Sequence, residues 1–135
     1  MRAGDDRLPF LGFLANTVAA ARAHGLTVLD GVYNAIDDAD GLARECEQGA
    51  RFGCDGKTLI HPGQIAACNT AFSPSEADIA WAQGVVVAFA TPEAAGKGVI
   101  RADGKMVERL HLAQAERLLA IRAAIDRSAL PSSGE

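Results

Sequence analysis

LTVLDGVYNAIDDADGLARECEQGARFGCDGKTLIHP, residues 26–62, decides how this chain is built. Leu26 to Leu29 reads as a short continuous apolar strand, the kind buried on both faces of a parallel sheet. Asp30 and Gly31 close it. A polar loop with three acids, Asp37, Asp38 and Asp40, leads into a helix over 41–52. There Leu42, Cys46 and Ala50 recur every four residues, and Asp40 is placed to cap it. Gly53 stops that helix, and GKTLI (56–60) supplies a second short strand that runs into His61-Pro62. Strand, helix and strand form a βαβ unit with a crossover of about 25 residues, a connection that is almost always parallel and right-handed.

Working outward, a further helix over 9–23 precedes the first strand, with Phe10, Phe13, Leu14, Val18 and Ala21 at helical spacing. Gly25 ends it. The order α-β-α-β is that of an α/β barrel or doubly wound sheet. Downstream, QIAACNTAF predicts a helical turn or two. In Ser73-Pro74-Ser75-Glu76, Ser73 is placed to cap a helix to about Ala90, with Pro74 at its first position and Glu76 completing the box. Asp103-Gly104 predicts a hairpin turn between Val99-Ile100 and Lys105-Met106. The last helix spans 109–127, with Leu112, Ala115, Leu119 and Ala123 on one side, and LPSSGE is a tail expected to fray.

The chain has 135 residues, 49% hydrophobic and 22% charged, a globular composition sized for one core. Net charge is −4 with the basic residues scattered, which excludes a nucleic-acid footprint. Cys46, Cys54 and Cys68 lack metal or disulfide spacing and read as buried reduced thiols of a cytoplasmic protein. LPFLGFLANTVAAARA (8–23) resembles a signal-peptide core, but MRAGDDR before it carries two acids against two arginines, so an amphipathic helix is expected instead. It is too short to span a bilayer, and no membrane association is expected.

Candidate chemistry concentrates where strands end, because α/β sheets bind ligands outside the carboxyl ends of parallel strands. Asp30-Gly31-Val32-Tyr33 and Ile60-His61-Pro62 occupy two such ends. Proline at 62 lacks an amide donor, which would leave the Ile60 and His61 carbonyls to face a ligand. His61 taken alone reads more readily as a structural histidine. The acids at 37, 38 and 40 mimic a calcium loop incompletely, since Ile36 stands at the first ligand position. Gly96-Lys97-Gly98 lacks P-loop spacing, and no hydrolase triad motif is present.

Together, AARAHGLTVLDGVYNAIDDADGL, ARFGCDGKTLIHPGQI, FSPSEADIAWA and GKGVIRADGKMVE resemble the citrate lyase beta-subunit (CitE-like) family of the HpcH/HpaI aldolase group, which includes malyl-CoA and citramalyl-CoA lyases. The resemblance covers about residues 7–125. It implies an α/β fold, the C-terminal portion of a TIM (β/α)8 barrel, with 1–92 a barrel segment and 93–135 a hairpin-helix lid. LTVLD and GKTLI then resemble the last two barrel strands. A full barrel needs about 250 residues, so the resemblance is to the C-terminal half alone.

The implied activity is magnesium-dependent carbon-carbon cleavage of a 3-hydroxyacyl-CoA of citryl-, malyl- or citramalyl-CoA type, giving acetyl-CoA and a 2-oxo acid. The family's magnesium ligands lie upstream of the matching region, so no metal ligand is assigned here. Ile60, His61, Pro62 and Asp30 are expected to bind the acyl-CoA substrate. Glu108, in Lys105-Met106-Val107-Glu108, stands where the family usually has a catalytic Asp that reaches a neighbouring subunit. Its side chain is one methylene longer, and its structural role would be that of a helix N-terminal acid. Ala35 replaces the second acid of the family's Asp-x-x-Tyr-x-Asp pattern, whereas Asp30, Tyr33 and Asp38 are kept. Three roles are compatible with these features. They are a split or truncated lyase, a non-catalytic remnant that binds CoA or a partner, and a CoA thioesterase. The expected partners are a missing N-terminal half-barrel or further copies of the chain.

Overall fold

The computed structural model describes residues 7–102 and 104–129, in two compact units divided between Phe72 and Ser73. Residues 1–6, Asp103 and the tail over 130–135 lie outside the described residues.

In the first unit a 3-10 turn at Leu8–Phe10 leads into α1 (Leu11–Ala23), which closes with the Gly25 and Leu26 amides bonded back to the Arg22 and Ala21 carbonyls. β1 is Leu29–Asp30 and β2 is Gly56–Lys57, parallel as expected, with Leu29 opposite Gly56 and Asp30 opposite Lys57. Bonds from the Asp55 amide to the Val28 carbonyl and from the Thr58 amide to the Asp30 carbonyl lengthen the ladder by one step at each end. The regular pairing thus sits later than Leu26–Leu29 and is shorter than 56–60. It begins where Asp55 is held, its carboxylate accepting from the Val28 amide and from both Arg22 Nη atoms, at 2.8–2.9 Å.

α2 (Ala39–Phe52) crosses between the strands. Asp38 rather than Asp40 caps it, its Oδ1 accepting from the Gly41 amide at 2.8 Å. Tyr33 fixes that choice by donating its hydroxyl to Asp38 Oδ2 at 2.6 Å. Gly53, at φ 94°, ends the helix in the left-handed region that glycine tolerates. After a 3-10 turn at Pro62–Gln64, α3 (Ile65–Phe72) packs on α2 through Leu42, Cys46 and Cys68. Val18, Val28 and Cys54 form a second small cluster. All three cysteines are buried free thiols, as read from the sequence.

β1 is not buried on both faces. Val28 and Asp30 point inward, while Leu29 between them is 59% exposed. α1 likewise buries Val18 and packs Leu14 and Ala21, but leaves Phe13 exposed, because one small cluster covers only one of its sides.

In the second unit α4 (Glu76–Phe89) begins two residues later than expected. Ser75 and Asp78 form the capping box, not Ser73 and Glu76. Two overlapping boxes exist in SPSEAD, and in the one adopted Ser75 Oγ and Asp78 Oδ2 lie 2.6 Å apart. β3 (Val99–Ala102) and β4 (Lys105–Glu108) form the expected antiparallel hairpin, and α5 (Arg109–Ala129) packs against α4. Ala82, Val85, Val107 and Ala115 make its core. Among the described residues no helix is long and apolar enough to cross a membrane.

Gly49 in α2 reports how closely that helix approaches β1. A Cβ there would stand 2.8 Å from Asp30 Oδ2 and 3.3 Å from its Cγ. Alanine at the exposed Gly84 of α4 would meet nothing within 4 Å. Gly84→Ala is therefore expected to stabilise by about 0.5–1 kcal/mol in urea unfolding. Gly49→Ala should instead lose about 1–2 kcal/mol, because overpacking outweighs the helix-propensity gain.

Candidate functional site

The two strand exits suggested by the sequence do lie side by side. The parallel register sets Asp30 beside Lys57, so Gly31 and Thr58 leave the ladder in the same direction. Gln64 then ties the two exits together. It is buried, its Oε1 accepts from the Ile60 amide at 3.1 Å, and its Nε2 donates to the Tyr33 carbonyl at 2.9 Å. Ile60, His61 and Pro62 stay on the surface above it. His61 starts the 3-10 turn, with Nδ1 accepting from the Gly63 amide at 3.1 Å. Its carbonyl is not left for a ligand as expected, because it accepts from the Gln64 amide at 3.0 Å. A chain that turns straight after proline brings its next amides back onto that carbonyl.

Asp30, at the end of β1, is 3% exposed. Its Oδ1 accepts from Arg7 Nη1 at 2.7 Å and from the Gly31 amide at 2.8 Å. Its Oδ2 lies 3.2 Å from Lys57 Nζ, and the Lys57 side chain is wholly buried. Lys57 also meets Glu45 of α2, and Arg7 donates through Nε to Gln48 at 2.8 Å. Burial by itself would raise the Asp30 pKa. The Arg7 hydrogen bond, the Lys57 and Arg7 charges and the Gly31 amide outweigh it and hold the carboxyl below its ordinary value. Asp30 is thus an ionised anchor already engaged by two cations.

Glu108 belongs to the second unit. It is the last residue of β4, exposed, and immediately precedes α5. Among the described residues no group of three or more His, Cys, Asp or Glu side chains could hold a metal ion. The acid loop does not make one either, since Asp38 is spent on Tyr33 and the α2 cap.

A model of the C-C bond lyase family, of the TIM-barrel fold, matches residues 9–125. The chain belongs to this family. It is 52% identical over 120 residues to a protein of Cereibacter sphaeroides named (3S)-malyl-CoA thioesterase, covering 89% of this chain and 42% of that one. It is 38% identical over 108 residues to human mitochondrial citramalyl-CoA lyase, covering 80% and 32%. A Mycobacterium tuberculosis CitE structure, in complex with magnesium, acetoacetate and coenzyme A, aligns with a TM-score of 0.65 at 33% identity, over 82% of this chain and 40% of that one. The chain spans about two fifths of the length of the first of these relatives. The CitE-like resemblance is therefore correct: the family has a TIM-barrel fold, and this chain has one parallel strand pair.

Arg7 and Glu45 carry no motif in the sequence, and Lys57 and Gln64 stand out there only as positions of the family run over 56–65, without a role of their own. A lysine beside a strand-end aspartate, on a strand expected to be buried, is the signal that could have found the ion network. Gln64 carried no such signal.

Three outcomes follow for this site. Removing the Asp30 charge leaves Lys57 buried with one partner fewer, so Asp30→Asn is expected to cost about 3–5 kcal/mol in denaturant unfolding. The depressed Asp30 pKa supplies stability that is present above the unfolded-state value of about 3.9 and lost as pH falls through the lower folded value. The acid limb of the wild-type stability curve should therefore be steeper below about pH 4 than that of Asp30→Asn. Gln64→Leu would orphan the Ile60 amide and Tyr33 carbonyl, with an expected loss of about 2–3 kcal/mol in the same measurement.

Proposed function

We propose that this chain is the C-terminal part of a CitE-like acyl-CoA lyase that cleaves a 3-hydroxyacyl-CoA of citryl-, malyl- or citramalyl-CoA type into acetyl-CoA and a 2-oxo acid. The supporting observation is the pair of adjacent parallel strand ends, joined by Gln64, in a chain that matches the family over 9–125. In this reading LTVLD and GKTLI are the last two barrel strands, residues 1–92 are barrel and 93–135 are lid. Ile60, His61 and Pro62 form the face toward the acyl-CoA, and Asp30 supports that face from below.

Glu108 is the proposed proton-transfer group, since an exposed carboxylate on a lid can be carried to a substrate and desolvated there. A structural role alone, as a helix N-terminal acid, predicts no effect of its replacement on turnover. The described residues do not fit a magnesium ion. The metal named with the CitE relative would be held by a first half-barrel, supplied as another polypeptide or as the rest of a longer protein. Association with that half, or with further copies of this chain, would also cover exposed apolar groups such as Leu29 and Ile60.

A second reading, thioester hydrolysis, is supported by the 52% identity to proteins named (3S)-malyl-CoA thioesterase. One assay separates the two. The chain is incubated with malyl-CoA and magnesium, alone and with a polypeptide matching the first half of the relatives. Glyoxylate with acetyl-CoA marks the lyase, and malate with free CoA marks the thioesterase. We expect glyoxylate only when the first half is present, and a loss of about 100-fold or more in Glu108→Gln. Failure of every combination, despite binding of CoA, would leave a non-catalytic CoA-binding chain.

A further inference from the structure

The joint between β4 and α5 carries a device that the proposed reaction does not use. In an antiparallel pair successive amides point alternately toward and away from the partner strand. The Arg109 amide donates to the Gly98 carbonyl at 3.0 Å, which turns the Glu108 amide away from β3. That amide is taken by His111 Nδ1 at 2.9 Å. Glu108 directly precedes α5 and His111 is its third residue, so the imidazole fills the place of the Glu or Gln that closes a capping box.

An imidazole differs from those residues in one respect. It accepts through Nδ1 only while neutral, with its proton on Nε2. Once protonated, both ring nitrogens are donors, and Nδ1–H would face the Glu108 N–H. The cation would also sit at the positive end of the α5 dipole. Histidine is the side chain whose charge changes between about pH 5 and 8.

We propose that His111 is a proton-operated cap of the lid joint: neutral, it holds the Glu108 amide and fixes the turn from hairpin to helix, and protonated, it releases both. The switch belongs to the joint and does not depend on Glu108 being catalytic.

The groups around the ring come from α4, the hairpin and α5. From α4 the ring meets Trp81, edge-on at 6.4 Å between centroids. The acids of α4, Glu76 and Asp78, are engaged by Arg122 and by Ser75. β3 carries Arg101, β4 carries Glu108, and α5 itself carries Arg109, Glu116 and Arg117. The Arg109 guanidinium donates to the Lys97 carbonyl.

The contact with Trp81 supplies a reporter, since this is the only tryptophan in the chain and a protonated imidazole quenches indole emission. The test is a titration of the full chain from about pH 8 to about pH 5, the window in which histidine changes charge. Trp81 emission and hydrogen exchange at the Glu108 amide, corrected for intrinsic rate, are followed together. Wild type should lose emission and about fivefold of Glu108 amide protection in one step, the factor that a cap of ordinary strength represents. His111→Asn, whose Oδ1 can accept in place of Nδ1 without titrating, should keep both signals level across the range. Glu108 protection that does not change while Trp81 titrates would overturn the proposal, as would an unchanged step in His111→Asn. If the variant does not fold, the wild-type series decides alone: co-titration supports the switch and an invariant amide refutes it.

Discussion

The first unit depends on a buried charge pair placed by strand register. Parallel pairing sets Asp30 directly beside Lys57, and both side chains are out of water. Such a pair is tolerated only when every remaining lone pair and proton is matched, because the desolvation of two ions is otherwise larger than their attraction. Here the matching groups come from the whole unit. Arg7 comes from ahead of α1, Glu45 from α2 and the Gly31 amide from the strand exit. A shift of one residue in register would leave a lysine and an aspartate buried apart. The pairing therefore selects one alignment of two strands that are too short to be specified by their hydrogen bonds.

The rim above that pair inherits its shape from it. Asp30 and Lys57 are both engaged where the chain leaves the two strands. Gln64 needs only two hydrogen bonds to join the Tyr33 and Ile60 segments. The result is a set of engaged, buried polar groups beside an exposed strip of Ile60, His61 and Pro62. Such a division suits a site in which backbone shape contacts the ligand and side-chain charge serves the scaffold. This chain spans only part of its relatives' length, and the family's fold is a closed barrel.

The second unit uses a different principle. Its core is apolar, with Val107 of the hairpin set against Ala82, Val85 and Ala115 of the helices. Its polar control points are at helix starts, the Ser75–Asp78 box on α4 and His111 on α5. Small buried residues let α4 and α5 approach closely, and the hairpin closes the end of the pair. Glu108 is thereby held at a junction of two elements, exposed but attached to a packed base.

Much of this was readable in the residues themselves. Gly53 and Asp103-Gly104 announce a helix stop and a turn, because their backbone needs are local. The βαβ order and the parallel sense follow from the length of the crossover. The CitE-like motifs carry the family. Where sequence reading slipped, two local solutions were equivalent: Asp38 or Asp40 as cap, Ser73 or Ser75 as the head of the box. Tyr33 chose the first from a distance that no local rule measures. The Arg7–Asp30–Lys57–Glu45 network and the bridging role of Gln64 were set by tertiary structure alone. They join groups up to 38 residues apart in the chain, such as Arg7 and Glu45. Only folding brings such charges together, and only burial turns their proximity into a constraint.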